Sequence, residues 1–370
     1  MSLITVFGLS AALHLYIAMR LVPALPVPAG VALALVLLAS AALVPLGLLA
    51  RRMLRPPLAD RVTWAGMLCM GLFSSLLVLT VLRDVLLLAL RMAHAPSLAA
   101  DTAVAVPLLA LALTTVGFFN ARRPARVRRV TVPLQGLPVA LAGFRIVQIS
   151  DIHVGPTIKQ EYLQAIVDRV NALDADVVAI TGDLVDGSVA DLRAHVAPLA
   201  SLRAKHGVYF VTGNHEYYSG VHGWVDELRR LGVRVLHNEH VVLRHEGAQL
   251  VLAGVPDYTG HHFDEAHRSD PVAALAGAPD GAPRVLLAHQ PRSAQAAEAA
   301  GFDLQLSGHT HGGQFLPWSL FVPLQQPYTA GLHQLGRLSI YVSRGTGYWG
   351  PPKRIGAPSE IAELLLAASG

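Results

Sequence analysis

The chain has 370 residues, a net charge of +4 and a single cysteine, Cys69, which excludes an intramolecular disulfide and any cysteine-based zinc site. The charge is uneven: residues 1–130 hold twelve Arg, no Lys and only Asp60, Asp84 and Asp101, a balance of +9, while residues 131–370 hold twenty-two acidic and seventeen basic residues, a balance of −5. A basic excess set between apolar runs is the pattern of a membrane protein and argues against a nucleic-acid partner.

Four apolar stretches open the chain, at about residues 3–19, 27–50, 64–82 and 102–119. A spanning helix needs roughly 20 largely apolar residues, so a four-helix transmembrane anchor is expected over residues 1–121. The first stretch lacks a basic leader and a small-residue cleavage site, and so reads as a helix and not as a signal peptide. Arg51, Arg52, Arg55 and Arg61 follow the second stretch, and Arg122, Arg123, Arg126, Arg128 and Arg129 follow the fourth; the other two connections carry only Arg20 and Arg91. The positive-inside bias then expects a multi-pass protein of the inner (cytoplasmic) membrane with both termini and the catalytic part in the cytoplasm. Arg83 and Asp84 follow the third stretch, where Arg83 is read as snorkelling at the edge of a span ending at residue 82. A buried polar pair is the alternative.

Residues 122–143 read as a basic linker containing Pro124, Pro133 and Pro138. The catalytic domain is expected over 144–370. There, short apolar runs at 145–149, 177–181, 208–212, 250–255 and 285–288 alternate with helical patterns at 161–173, 189–202, 223–231 and 293–300. Such alternation predicts an α/β layer architecture.

The polar clusters at the ends of the apolar runs carry the chemistry. RIVQIS leads into Asp151-Ile152-His153, VVAIT into Gly182-Asp183-Leu184-Val185-Asp186, VYFVT into Gly213-Asn214-His215-Glu216, VLLA into His289, and DLQLS into Gly308-His309-Thr310-His311-Gly312-Gly313-Gln314. Fifteen of the seventeen histidines lie after residue 130. Ligand sites in α/β sheets form at the carboxyl ends of strands, so five strand ends are expected to deliver these groups to one rim. Asp151 and His153 are two residues apart, as are His309 and His311, a spacing that puts both side chains of a pair on one side of an extended segment. Glycine before the donors permits sharp turns and close approach. Carboxylate, imidazole and amide oxygen together suit divalent transition metals. Seven donors suffice for two metals sharing a bridge, about 3.5–4 Å apart, with a bridging hydroxide as nucleophile.

The ordered set D-x-H, GDxxD, GNHE, a lone His and GHTHGGQ resembles the calcineurin-like metallophosphoesterase superfamily over about residues 130–370. LSGHTHGGQ, with AHQPR ahead of it, is similar to a membrane-associated bacterial branch. The resemblance implies a β-sandwich flanked by helices. It implies that Asp151, His153, Asp183 and His311 hold one divalent ion (Mn, Fe or Zn). Asp183, Asn214, His289 and His309 would hold the other, with Asp183 bridging. His215 would act as general acid or transition-state stabiliser and Asp186 would orient it. Gly187 follows Asp186 where phosphoprotein phosphatases place arginine, which argues against a protein phosphatase.

Residues 315–323 form an unusually apolar loop, and Arg344 is a candidate phosphate contact. Relatives in this branch include pyrophosphatases that cleave UDP-2,3-diacylglucosamine. The expected function is hydrolysis of a phosphoester or pyrophosphate, on a small molecule, a lipid or a nucleotide-linked lipid, beside the lipid bilayer as partner. A non-catalytic, metal-stabilised signalling or scaffold module is the alternative, with a transporter third. His261, His262 and His267 read as a solvated loop, because no strand end positions them.

Overall fold

A computed structural model describes residues 3–369 and divides the chain into two compact units. The first comprises the residues up to Arg122 with Phe315–Pro317 and Gly350–Ile355. Its helices are α1 (Leu3–Leu21), α2 (Val27–Met53), α3 (Leu58–Met92) and α4 (Ala99–Arg122), all four long and apolar enough to cross a membrane. Small residues let α2 and α3 touch: a Cβ on Gly66 would collide with the Leu43 carbonyl and the Gly47 Cα, the close approach that apolar helix pairs use. His14 is satisfied inside the bundle, with Nδ1 2.8 Å from the Ser10 carbonyl and Nε2 2.9 Å from Ser40 Oγ.

The third helix does not stop at residue 82. α3 continues to Met92, and Arg83 is buried instead of snorkelling. Its guanidinium donates to Thr102 Oγ1 (3.0 Å) and to the carbonyls of Ala99 (2.9 Å) and Arg20 (3.2 Å). These acceptors replace water, which is what a buried cation requires. Asp84 is held by Arg20 Nε and Tyr16 Oη, both at 2.8 Å. Lys353 belongs to this unit and donates to the Gly71 carbonyl, Ser74 Oγ and Ser75 Oγ at 2.6–2.9 Å.

The second unit is a two-sheet sandwich. In chain order it contains β1 (Arg126–Leu134), β2 (Arg145–Ile149), α5 (Gln160–Asn171), β3 (Val177–Thr181), α6 (Val189–Val196), β4 (Val208–Val211), α7 (Asn214–Tyr218), α8 (Val221–Arg230) and β5 (Arg234–Val235). Then come β6 (Glu239–His245), β7 (Ala248–Gly254), β8 (Arg284–Leu287), α9 (Ala294–Ala300), β9 (Leu304–Ser307), β10 (Gly331–Leu335), β11 (Leu338–Val342) and β12 (Glu360–Ala368). One sheet has the order β1-β12-β2-β3-β4-β5, the other β10-β11-β9-β8-β7-β6. β2, β3 and β4 run parallel, as do β7, β8, β9 and β11.

Val132, Ile146, Ala179, Val211 and Leu364 of the first sheet join Leu252, Val285, Leu306 and Tyr341 of the second in one buried core. A further cluster packs Ala294 and Ala297 of α9 with Ala253, Leu286 and Ile340. The fully buried β3, with every residue inside, explains why its sequence is a continuous apolar run and not an alternating one. Within the segment read as a linker, Arg126–Leu134 forms β1, parallel to β12 from Arg126↔Glu360 to Leu134↔Ala368. Its partner lies 234 residues away, and Arg129 Nε meets Glu363 Oε2 at 2.6 Å.

Candidate metal centre

The carboxyl ends of β2, β3, β4, β8 and β9 deliver Asp151, Asp183, Asn214, His289 and His309, so both sheets contribute to one rim. The local geometry differs from the extended pairs expected from the two-residue spacing. Asp151, His153, Asp183, His309 and His311 all have left-handed backbones, with φ of 53°, 56°, 50°, 70° and 51°. Asp and His tolerate that region better than branched residues do, and such strained positions cluster where surrounding structure holds them for function. Here neighbouring loops do the holding. Asp151 N–H donates to the Gly182 carbonyl (3.0 Å), His153 N–H to that of Asp183 (3.1 Å) and Gly308 N–H to that of His289 (2.9 Å). A Cβ at Gly308 would strike the Asp151 carboxylate and Ser150 Oγ, and one at Gly213 would strike the Asp183 carboxylate.

Two groups of donors result. In the first, His153 Nε2 lies 3.0 Å from His311 Nε2, and His311 Nε2 lies 3.5 Å from Asp151 Oδ1. In the second, His289 Nε2 lies 3.2 Å from Asp183 Oδ2 and 3.2 Å from His309 Nδ1. Asp183 Oδ2, of the second group, is also 3.9 Å from His153 Nε2 of the first and 3.9 Å from His215 Nε2. Donors bound at about 2.0–2.2 Å around one tetrahedral ion sit about 3.3–3.6 Å from one another, so these spacings fit cation ligation. Asn214 Oδ1 is buried without a hydrogen-bond partner, and a cation would satisfy it. His289 Nδ1, 2.7 Å from the Thr181 carbonyl, donates its proton there and leaves Nε2 free for the centre.

His215 sits above this cluster. Its Nδ1 lies 2.6 Å from Asp186 Oδ1, which is also 3.0 Å from His153 Nδ1. Burial opposes protonation of His215, but Asp183 and Asp186 outweigh it and push its pKa up to about 10. Burial raises the Asp186 pKa, yet the neighbouring His153 and His215 hold it below the usual carboxylate range. His309 is driven the other way, down to about 3, by burial and by His289.

The cavity above these groups has a volume of about 230 Å³ and is lined by His153, Asp183, Asn214, His215, His309 and His311 together with Tyr218, Trp318, Val322 and Trp349. All seven expected metal donors, and His215 and Asp186, therefore converge. Arg344 does not line this cavity: its Nη1 pairs with Glu360 Oε2 at 3.0 Å and its N–H donates to Glu360 Oε1 at 3.1 Å.

Several supporting residues escaped the sequence reading. Glu216, fully buried, accepts from four backbone N–H groups: Gly213 (2.7 Å), Asp183 (3.0 Å), Leu184 (2.8 Å) and Val185 (3.3 Å). It thus welds the loop after β3 to the start of α7. Burial and Asp183 push its pKa up to about 8, while the N–H donors favour its carboxylate. Its signal was the spacing, since a glutamate three residues after the residue preceding a helix forms a capping box. Gln314 of GHTHGGQ clasps the Trp349 backbone, donating to its carbonyl (2.9 Å) and accepting from its N–H (3.0 Å). That places the Trp349 ring 5.8 Å from His215. Gln290 donates to Asp257 (3.0 Å) and accepts from Gln326 (3.1 Å), anchoring the loop beside the cavity.

Comparison with known proteins agrees with this geometry. Residues 144–313 match the calcineurin-like phosphoesterase family. An alignment 284 residues long, which covers 71% of this chain and 63% of the relative, shows 43% identity to a Bos taurus transmembrane protein with metallophosphoesterase domain. The match to the Danio rerio counterpart covers 62% of that protein, so the chain spans less than two thirds of the length of these vertebrate relatives. An uncharacterized metallophosphoesterase of Aquifex aeolicus is 33% identical over 249 residues, 66% of this chain and 93% of that protein. Together with the ordered donors at the strand ends, these matches show that the chain belongs to the calcineurin-like metallophosphoesterase family.

Proposed function

We propose that this protein is a membrane-anchored hydrolase of phosphoester or phosphoanhydride bonds that works with two divalent cations on a lipid or nucleotide-linked lipid. One observation carries the reading: Asp183 Oδ2 stands within 3.9 Å of donors from both groups, 3.2 Å from His289 and 3.9 Å from His153. Bound cations would supply Lewis acidity to the phosphoryl oxygens and lower the pKa of the attacking water. The chain's own groups supply the rest. His215 lines the cavity, and a proton on its Nε2 would be placed to pass to the leaving oxygen. Asp186 fixes the ring through Nδ1. Tyr218, Trp318, Val322 and Trp349 line the cavity and would displace water as a substrate enters, which would strengthen the charge interactions inside it.

The loop beside the cavity supports an acyl-bearing substrate. Trp318, Leu320, Phe321 and Leu324 are all exposed within seven residues, a clustering of large apolar groups that marks a binding surface more often than a bare solvent face. The full-length protein in detergent is expected to hydrolyse bis(p-nitrophenyl) phosphate with Mn²⁺, to lose that activity on chelation, and to turn over a diacyl-linked pyrophosphate in mixed micelles faster than the soluble diester. A folded sample inactive on both substrates with every divalent metal tried would overturn the proposal.

The arginine distribution supports an inner-membrane protein with its hydrolase unit in the cytoplasm. A reporter fused after residue 125 is expected to give a cytoplasmic signal. A reporter active only in the periplasm would reverse the assignment.

A further inference from the structure

Away from the centre, three histidines and one aspartate from separate segments meet. His222 lies in the first turn of α8, His237 in the connection between β5 and β6, and Asp264 and His267 in the long connection between β7 and β8. His222 Nε2 is 3.3 Å from Asp264 Oδ2, and His267 Nε2 is 4.0 Å from the same oxygen. These three donor atoms lie within 4.8 Å of one another. The His237 ring is centred 4.6 Å from that of His267, and its Nε2 is buried with no hydrogen-bond partner.

We propose that His222, His237, Asp264 and His267 form a separate metal site that takes a zinc-class divalent cation and fastens the loop between β7 and β8 to α8. The donor types are those of zinc, and bonds of about 2.0–2.1 Å at tetrahedral angles set donor atoms about 3.3 Å apart. The His222–Asp264 distance already matches, and the His267–Asp264 distance needs to close by less than 1 Å. The unused atoms of two of the donors are committed elsewhere, as ligand orientation requires. His267 Nδ1 lies 3.0 Å from Tyr217 Oη, and Asp264 Oδ1 accepts from Ala266 N–H at 3.0 Å. Next to His237, Asn238 donates to the Arg268 carbonyl (2.7 Å) and accepts from Asp270 N–H (2.9 Å), so the same two segments are already tied together. Without a cation, two imidazoles crowd one carboxylate, and the buried Nε2 of the adjoining His237 stays unpaired, which is costly. Tyr217 belongs to α7, the helix that carries Asn214 and His215, so the cation would also brace the base of the hydrolytic centre. Sequence spacing hid this site because its members come from three segments, with 15 positions from His222 to His237 and 27 from His237 to Asp264, on no common strand or helix. His267, read as part of a solvated loop, has a side chain only 12% exposed.

The test counts metals. Full-length protein in detergent is stripped with chelator, re-equilibrated with Zn²⁺, desalted and assayed for zinc per chain, alongside His222→Ala and Asp264→Asn proteins. His222 has a 71% exposed side chain, so its removal leaves the fold intact, and asparagine at 264 keeps the acceptor for Ala266. Each variant is expected to hold one zinc fewer than the parent and to lose part of the zinc-induced rise in melting temperature, with the metal-free melting temperature unchanged in His222→Ala. Equal zinc content and an equal melting rise in the parent and both variants would overturn the proposal. The readout is a difference from the parent, so it stands whether the main centre takes two cations, one or none.

Discussion

Asp183→Asn is expected to lower metal-dependent turnover on the order of 10³-fold while leaving a folded protein. The oxygen proposed to serve both donor groups is Asp183 Oδ2, 3.2 Å from His289 Nε2 and 3.9 Å from His153 Nε2. Cation charge stabilises a phosphoryl transition state by several kcal/mol, and each 1.36 kcal/mol is about tenfold in rate, so losing the shared anion costs roughly three decades. Asparagine retains an oxygen to accept the His215 N–H, now bonded to Asp183 Oδ1 at 2.9 Å, so the shape of the loop survives. Initial rates on bis(p-nitrophenyl) phosphate and metal per chain, measured on one preparation, decide the matter. An Asp183→Asn protein with parental rate and parental metal content would refute the shared role of this residue.

His215→Ala separates catalysis from ligation. The ring contacts Asp186 through Nδ1 and lines the cavity, and its Nε2 is 3.9 Å from Asp183 Oδ2, a geometry open to either role. Loss of a positioned proton donor costs about 10²–10⁴-fold. The expected pattern is a fall of that size in kcat, little change in KM and an unchanged metal content, the signature of an interaction made in the transition state only. A scaffold module would give a parent with no turnover to lose. Loss of metal together with activity would instead make His215 a ligand.

Much of the centre was legible because its donors follow strands. Asp151, Asp183, Asn214, His289 and His309 each come within three residues of an apolar run that is buried in the sandwich, and that rule needs no tertiary information. The orientation of the donors was not legible in the same way. Their left-handed backbones depend on hydrogen bonds from other loops, and an extended-strand argument brings these residues together for an incomplete reason. Arg344 is a different case. Its place after a strand suggests phosphate, and the structure adds that its Nη1 pairs with Glu360, first residue of β12. Nothing within a few residues of Arg344 announces that pairing. β1 was hidden for a similar reason: three prolines and five arginines between 122 and 143 read as a tether, while the strand that completes its ladder lies at the far end of the chain.

The inventory of groups, their order and the apolar patterns that make four long helices and two sheets are local properties, set by side-chain chemistry and by periods of 3.6 and 2 residues. Convergence is not local. Asp183 and His289 are separated by 106 positions and stand on different sheets, yet their donor atoms are 3.2 Å apart. Only the packing of one sheet on the other brings those strand ends together. The same holds for His222 and Asp264, whose meeting depends on how a long loop folds back over a short helix, a matter of tertiary contacts that no residue spacing encodes.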